Sequence, residues 1–79
     1  MDGYNGWKNR QTWNIALWIN NDESLYRIAT GYVKQAKRIS YISFVKYAGL
    51  QGTCTPDRIK FDGSRLDYKA LTEMLKELL

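Results

Sequence analysis

Gln11-Thr12-Trp13-Asn14-Ile15-Ala16-Leu17-Trp18-Ile19-Asn20-Asn21 decides the fold of this chain. The stretch has no Lys, Arg, Asp or Glu and holds two of the three tryptophans. Trp13, Ala16 and Leu17 fall on one stripe of a helix, and Ile15, Trp18 and Ile19 on an adjoining stripe. Only a narrow polar strip through Thr12 and Asn14 is left between them. A helix apolar on most sides is packed by neighbours on more than one face, so a central, buried helix is expected. A strand is the rival, because Trp and Ile favour strands, but apolar and polar residues do not alternate here. Asn9 is the expected N-cap, and the helix is expected to run to about Asn20.

Upstream, residues 1–8 read as a loosely structured lead-in. Gly3 and Gly6 favour turns, and Asn5-Gly6 is a turn dipeptide. Trp7, and Tyr4 with it, is expected to fold back on the core. Downstream, Asn20-Asn21-Asp22 ends one helix and caps the next, with Asp22 and Glu23 placed at a positive N-terminal end. The second helix is expected over 22–38. Leu25, Ile28, Ala29, Tyr32, Val33 and Ala36 recur at helical spacing, with Arg27, Thr30, Lys34, Gln35 and Arg38 opposite. Glu23 and Arg27 make an i,i+4 pair in the favourable order. Gly31 costs about 1 kcal/mol relative to Ala and sits off the main apolar stripe.

Residues 39–48 carry both signals. Tyr41, Phe44, Val45 and Ala48 share a helical face, yet Ile39, Tyr41, Ile42, Phe44, Val45 and Tyr47 suit a strand. Ser40 as a cap and Gly49 as a stop favour a third helix. Turn residues then punctuate 49–65: Gly49, Gly52, Thr55-Pro56-Asp57 and Asp62-Gly63. A short extended segment is expected near 58–61, with Ile59 or Phe61 touching the core. The fourth helix starts between Ser64 and Asp67, with Asp67 as a cap, and turns Leu71, Met74, Leu75 and Leu78 inward. The expected fold is all-α: one domain over 1–79, built as a compact bundle of about four short helices, the second and fourth packing on the first.

Size limits what this bundle does. A chain of 79 residues buries only roughly 60–65% of its unfolded surface. Three Trp, six Tyr and two Phe supply large apolar areas instead. With a single cysteine, Cys54, there is no intrachain disulfide, and Cys54 is expected to be a half-buried core residue. The start of the chain is polar and Gly-rich, unlike a signal peptide. The apolar stretch falls short of the about 20 residues that cross a bilayer. A soluble, cytoplasmic protein with no membrane association is expected.

Catalytic signals are sparse. There is no histidine, which removes the commonest general base and metal ligand. A lone Cys has too few partners for zinc. Asp57, Asp62 and Asp67 lack the spacing of a calcium loop, and no Gly-rich phosphate loop occurs. No catalytic residue, metal site or cofactor is assigned, and the chain is expected not to be an enzyme.

Binding signals are stronger. Net charge is +4, and no acidic residue lies between Ser24 and Pro56, where Arg27, Lys34, Lys37, Arg38 and Lys46 cluster. Tyr26 and Tyr47 are the tyrosines expected to point outward. Tyr26, Arg27, Lys34, Lys37, Arg38, Lys46 and Tyr47 are therefore the candidate partner-binding residues. Aromatic and Arg side chains on a surface suit a protein partner. Tyr residues interleaved with cations over 27–47 suit nucleic acid, by stacking and phosphate neutralisation. An exposed aromatic patch also gives a small chain a way to dimerise, and oligomeric state stays open.

The run Asn9-Arg10-Gln11-Thr12-Trp13-Asn14-Ile15-Ala16-Leu17-Trp18-Ile19-Asn20-Asn21-Asp22-Glu23 resembles a family of small proteins encoded by bacteriophages, notably cyanophages, and by related mobile elements. That family's run reads roughly N-R-[EQ]-T-W-N-[VI]-x-L-W-[IL]-x-N-[DE]. Thr55-Pro56-Asp57 and the segment from Asp67 to Leu79 also resemble its tail. Members often carry Glu where this chain has Gln11, so a charge there is not essential. The resemblance implies a viral origin and no particular activity or site residues. It points to a non-enzymatic accessory protein in the host cytoplasm that binds a host macromolecule. A host protein is the expected partner, with nucleic acid the alternative.

Overall fold

The computed structural model describes residues 6–79 as four helices joined by short turns and one long loop. The helices are α1 (Arg10–Asn21), α2 (Glu23–Gln35), α3 (Tyr41–Ala48) and α4 (Tyr68–Lys76). The expected lead-in falls largely outside the described residues, Tyr4 included. Trp7 is half-buried and packs against the core.

Local chemistry sets each helix start. The Asn9 carboxamide accepts from the Thr12 N–H at 2.8 Å, and Asp22 does the same for Leu25 at 3.0 Å. Ser40 accepts from the Ser43 N–H at 3.1 Å and Asp67 from the Ala70 N–H at 3.1 Å. Each side chain satisfies one of the orphan donors of a first helical turn. The β-rich stretch after Ser40 is a helix because both its ends are fixed this way: Gly49 closes it at φ +70°, a conformation glycine adopts without penalty.

The packing differs from the expected arrangement in one respect. α2 and α4 touch each other and both of the remaining helices, whereas α1 and α3 flank them on opposite sides. The second and fourth helices do pack on the first, but α1 is a flanking helix. Its second cover is the loop over 50–67. Ile15, Ile19, Ala29, Val33, Tyr41, Phe44, Leu71 and Leu75 form the centre of the core, and the loop adds Phe61 and Leu66.

The loop explains a second correction. Thr12 and Asn14, expected on a polar strip, are 0% and 1% exposed, while Leu17 is 36% exposed and Trp13 and Trp18 are only half-buried. The Thr12 hydroxyl donates to Asn9 Oδ1 at 2.7 Å and accepts from the Asp67 N–H at 3.0 Å. Asn14 accepts from the Thr55 hydroxyl at 2.8 Å and donates to Asp57 at 2.7 Å. The strip is buried because the loop supplies partners for it, as burial of polar groups requires.

Within the loop, the expected extended segment reduces to one antiparallel bridge, Cys54 with Lys60. Thr55-Pro56-Asp57-Arg58 forms a turn closed by the Arg58 N–H to the Thr55 carbonyl at 2.8 Å, and the Thr55 N–H reaches the Ile59 carbonyl at 2.9 Å. Arg58 is left-handed at φ +68° rather than extended, as three-residue hairpin loops need at this position. The bridge turns Cys54 outward, so it is exposed and not half-buried.

The glycine inside α2 gives a direct test of these packing relations. A Cβ on Gly31 meets only the Tyr47 hydroxyl, at 3.8 Å, an ordinary contact. Gly31→Ala is expected to add about 1 kcal/mol of stability. Thermal unfolding followed by circular dichroism should show the midpoint rising by roughly 4–8 °C; an unchanged or lower midpoint contradicts the helical placement of Gly31.

Candidate functional site

Tyr32 positions the residues of a charged groove. Its ring is buried on α2 and meets Phe44 edge-on, with centroids 5.8 Å apart. Its hydroxyl accepts from the Ser40 N–H at 3.1 Å, and its proton faces the Ser40 carbonyl at 3.1 Å and the Arg38 carbonyl at 3.4 Å. This bonding competes with further helix, so α2 stops at Gln35 rather than at the expected Arg38. Lys37 and Arg38 thus lie on a connection fixed by one buried phenol. The next residue is fixed as well: the Tyr41 N–H donates to the Thr72 hydroxyl on α4 at 3.0 Å.

These constraints bring the end of α2 beside the end of α4. Lys34, Lys37 and Arg38 line one groove together with Lys76, over a floor of Val33, Ala36, Ile39 and Leu79. Among the described residues no acidic side chain lines it, although Glu73 pairs with Lys76 at 3.5 Å. Lys34 and Lys76 sit in the last turns of their helices, where a cation offsets the negative end of the helix dipole. Lys37 and Arg38 lie beyond any helix.

The other sequence candidates do not join this groove. Arg27 pairs with Glu23 at 2.8 Å on a solvent-facing part of α2. Tyr26 is 42% exposed and Tyr47 is 53% exposed, as expected. Tyr47 leans on Tyr32, with centroids 5.4 Å apart, and approaches Gly31. Tyr26 and Gly31, five residues apart, lie about 140° apart around α2, so the two tyrosines do not converge. Lys46 is exposed on α3 with Ile42, Ser43 and Tyr47, outside the groove. Sequence reasoning missed Lys76 and Leu79, because α4 gave no sign of ending beside Lys37.

Ionisation adds little chemistry. Burial, with Tyr68 and Asp62 close by, pushes the Tyr41 phenol far above its ordinary range, and it donates to the Phe61 carbonyl at 2.6 Å. Tyr68 is raised too, by desolvation and then by Asp62. Asp57 moves the other way. Hydrogen bonds from Asn14 and then Trp18, at 2.7 and 3.0 Å, hold its carboxyl below its ordinary value of 3.8; loss of solvent opposes them and the Arg10 charge assists. Among the described residues, no three His, Cys, Asp or Glu side chains gather where a metal ion fits. No described helix is long and apolar enough to cross a membrane.

A model of a family of unknown function, DUF7249, matches residues 1–79. The chain belongs to that family. No curated protein and no solved structure matches. The DUF7249 match covers the groove and the whole helical core alike, and its description assigns no activity to either.

The Asp57 cluster gives a pH test. A carboxyl lowered in the folded state contributes stability that is full above its ordinary value of 3.8 and disappears as pH falls through the folded value. Urea unfolding across the acidic range should show Asp57→Asn losing less stability on acidification than the parent protein. Identical acid limbs contradict the role given to Asn14 and Trp18.

Proposed function

We propose that this protein is a small, non-enzymatic viral accessory protein that binds an acidic, amphipathic segment of a host protein in the groove between the ends of α2 and α4. The observation that carries this reading is the convergence of Lys34, Lys37, Arg38 and Lys76 around an apolar floor with no acidic side chain among the described residues that line it. Such a groove has the anatomy of a protein interface, an apolar centre inside a polar rim. Apolar side chains of the partner seat on Val33, Ala36, Ile39 and Leu79, and its carboxylates meet Lys34, Lys37 and Arg38 first, since Lys76 is already paired with Glu73 at 3.5 Å.

Nucleic acid suits this groove less well. Sequence-tolerant binding of single strands uses aromatic faces on which bases stack, and among the described residues no aromatic side chain lines the groove. Viral origin and action in the host cytoplasm follow from the resemblance of residues 9–23 to phage proteins, and that resemblance supports a host macromolecule as the target.

The test uses a labelled Asp/Glu-rich amphipathic peptide and a paired capture from host lysate. Lys37→Glu with Arg38→Glu is expected to weaken peptide binding by roughly ten-fold or more, with the helical circular dichroism spectrum unchanged. A host protein captured at stoichiometric yield by the parent should be lost from the variant. Equal peptide affinity, or recovery of nucleic acid with no protein, contradicts the reading.

A further inference from the structure

A second cationic cavity lies at the other end of α4. It has a volume of about 310 Å³ and is walled by Arg58, Lys60 and Arg65, with Gln11 and Ser64 as neutral polar groups. Among the described residues no acidic side chain lines it. Among the described residues, none of its three cations takes part in an ion pair. The nearby carboxylates are engaged elsewhere: Asp57 with Asn14 and Trp18, Asp62 with the Gly52 N–H, and Asp67 with the Ala70 N–H.

Folding does not account for these charges. Lys34 and Lys76 offset the negative C-terminal ends of α2 and α4, but this cavity lies at the N-terminal ends of α1 and α4. Gln11 is in the first turn of α1, and Leu66, also in the wall, immediately precedes the cap of α4. Neither first turn holds an acidic residue. A cation is disfavoured near a helix N-terminus; the Asp67 carboxylate caps α4, but among the described residues no ion pair offsets Arg58, Lys60 or Arg65. They are explained if an anion occupies the space between them.

The wall is also fixed before any ligand arrives. Arg58 is held by the turn from Thr55, whose hydroxyl is in turn bonded to the buried Asn14 at 2.8 Å. The Gly63 N–H bonds the Lys60 carbonyl at 3.3 Å, and Asn9 donates to the Arg65 carbonyl at 2.7 Å. A preformed wall lowers the ordering cost of binding.

We infer that this cavity binds a phosphate group. Two guanidiniums offer paired donors that match phosphate oxygens, Lys60 adds a point charge, and Gln11 and Ser64 add neutral donors. Among the described residues no aromatic side chain lines the space, so it reads the phosphate and not a base. The phosphate comes either free in solution or from a nucleic-acid backbone. This site is separate from the protein-binding groove and stands whether or not that groove takes a peptide.

The experiment is an amide NMR titration with inorganic phosphate at constant ionic strength and neutral pH. Saturable shifts are expected at Gly63, Ser64, Arg65 and Leu66. Arg58→Gly keeps the left-handed turn and removes the guanidinium; combined with Arg65→Gln it should weaken binding at least roughly ten-fold. Lys37→Gln with Arg38→Gln, in the other groove, should leave phosphate binding unchanged. A parallel titration with a short single-stranded oligonucleotide separates the sources. Binding whose salt dependence flattens in the Arg58→Gly/Arg65→Gln variant assigns a backbone phosphate; phosphate binding without oligonucleotide binding assigns free phosphate. Absence of saturable shifts, or equal weakening by the two double variants, overturns the inference.

Discussion

The carboxamide of Asn14 joins the two halves of this molecule. It lies 1% exposed on α1, accepts from the Thr55 hydroxyl at 2.8 Å and donates to Asp57 at 2.7 Å. A buried amide without partners costs about 1–3 kcal/mol, so the helix and the loop depend on each other. Thr12 does the same two residues earlier, where its hydroxyl accepts from the N–H of the α4 cap residue Asp67. Through these two side chains, α1 sets where the loop runs and where α4 begins. Both cationic sites inherit their geometry from that seam, since α4 carries Lys76 at one end and leads out of the Arg65 turn at the other.

Features written in neighbouring residues were legible from sequence. Caps act over three residues, so Asn9, Asp22, Ser40 and Asp67 are recognisable in the chain, and a glycine in a left-handed stop explains Gly49. Once Ser40 and Gly49 bracket the stretch, strand-prone residues between them become a short helix. The faces of α1 were not legible. Thr12 and Asn14 have partners 55 and 41 residues away, and periodicity alone assigns polar residues to solvent. The early end of α2 was hidden for the same reason, because the Tyr32 hydroxyl meets Ser40 only after the chain has turned. Of the candidate site, Lys34, Lys37 and Arg38 were identified and are brought together, while Lys76 arrives from a distant helix.

The charge distribution has a simple origin. The carboxylates Asp22, Asp57, Asp62 and Asp67 accept hydrogen bonds that cap helices or hold the loop, and Glu23 and Glu73 pair with Arg27 and Lys76. Every Lys and Arg side chain is exposed. Asp57, Asp62, Glu23 and Glu73 are exposed as well, but hydrogen bonds and ion pairs engage them, whereas among the described residues only Arg27 and Lys76 of the cations are ion-paired, which favours anionic partners beyond what the net charge of +4 suggests. The two cavities then differ by environment. One has an apolar floor and suits a segment of protein; the other has two guanidiniums and neutral donors beside helix N-termini and suits a phosphate.

The dependence of the fold on Asn14 is measured most directly by a double-mutant cycle with Thr55. Asn14→Ala, Thr55→Val and the double variant, each unfolded in urea, report the coupling between helix and loop. A coupling of about 1–2 kcal/mol is expected, as for groups in one buried hydrogen-bond network. Additivity within about 0.3–0.5 kcal/mol contradicts the seam as the constraint on which the structure rests.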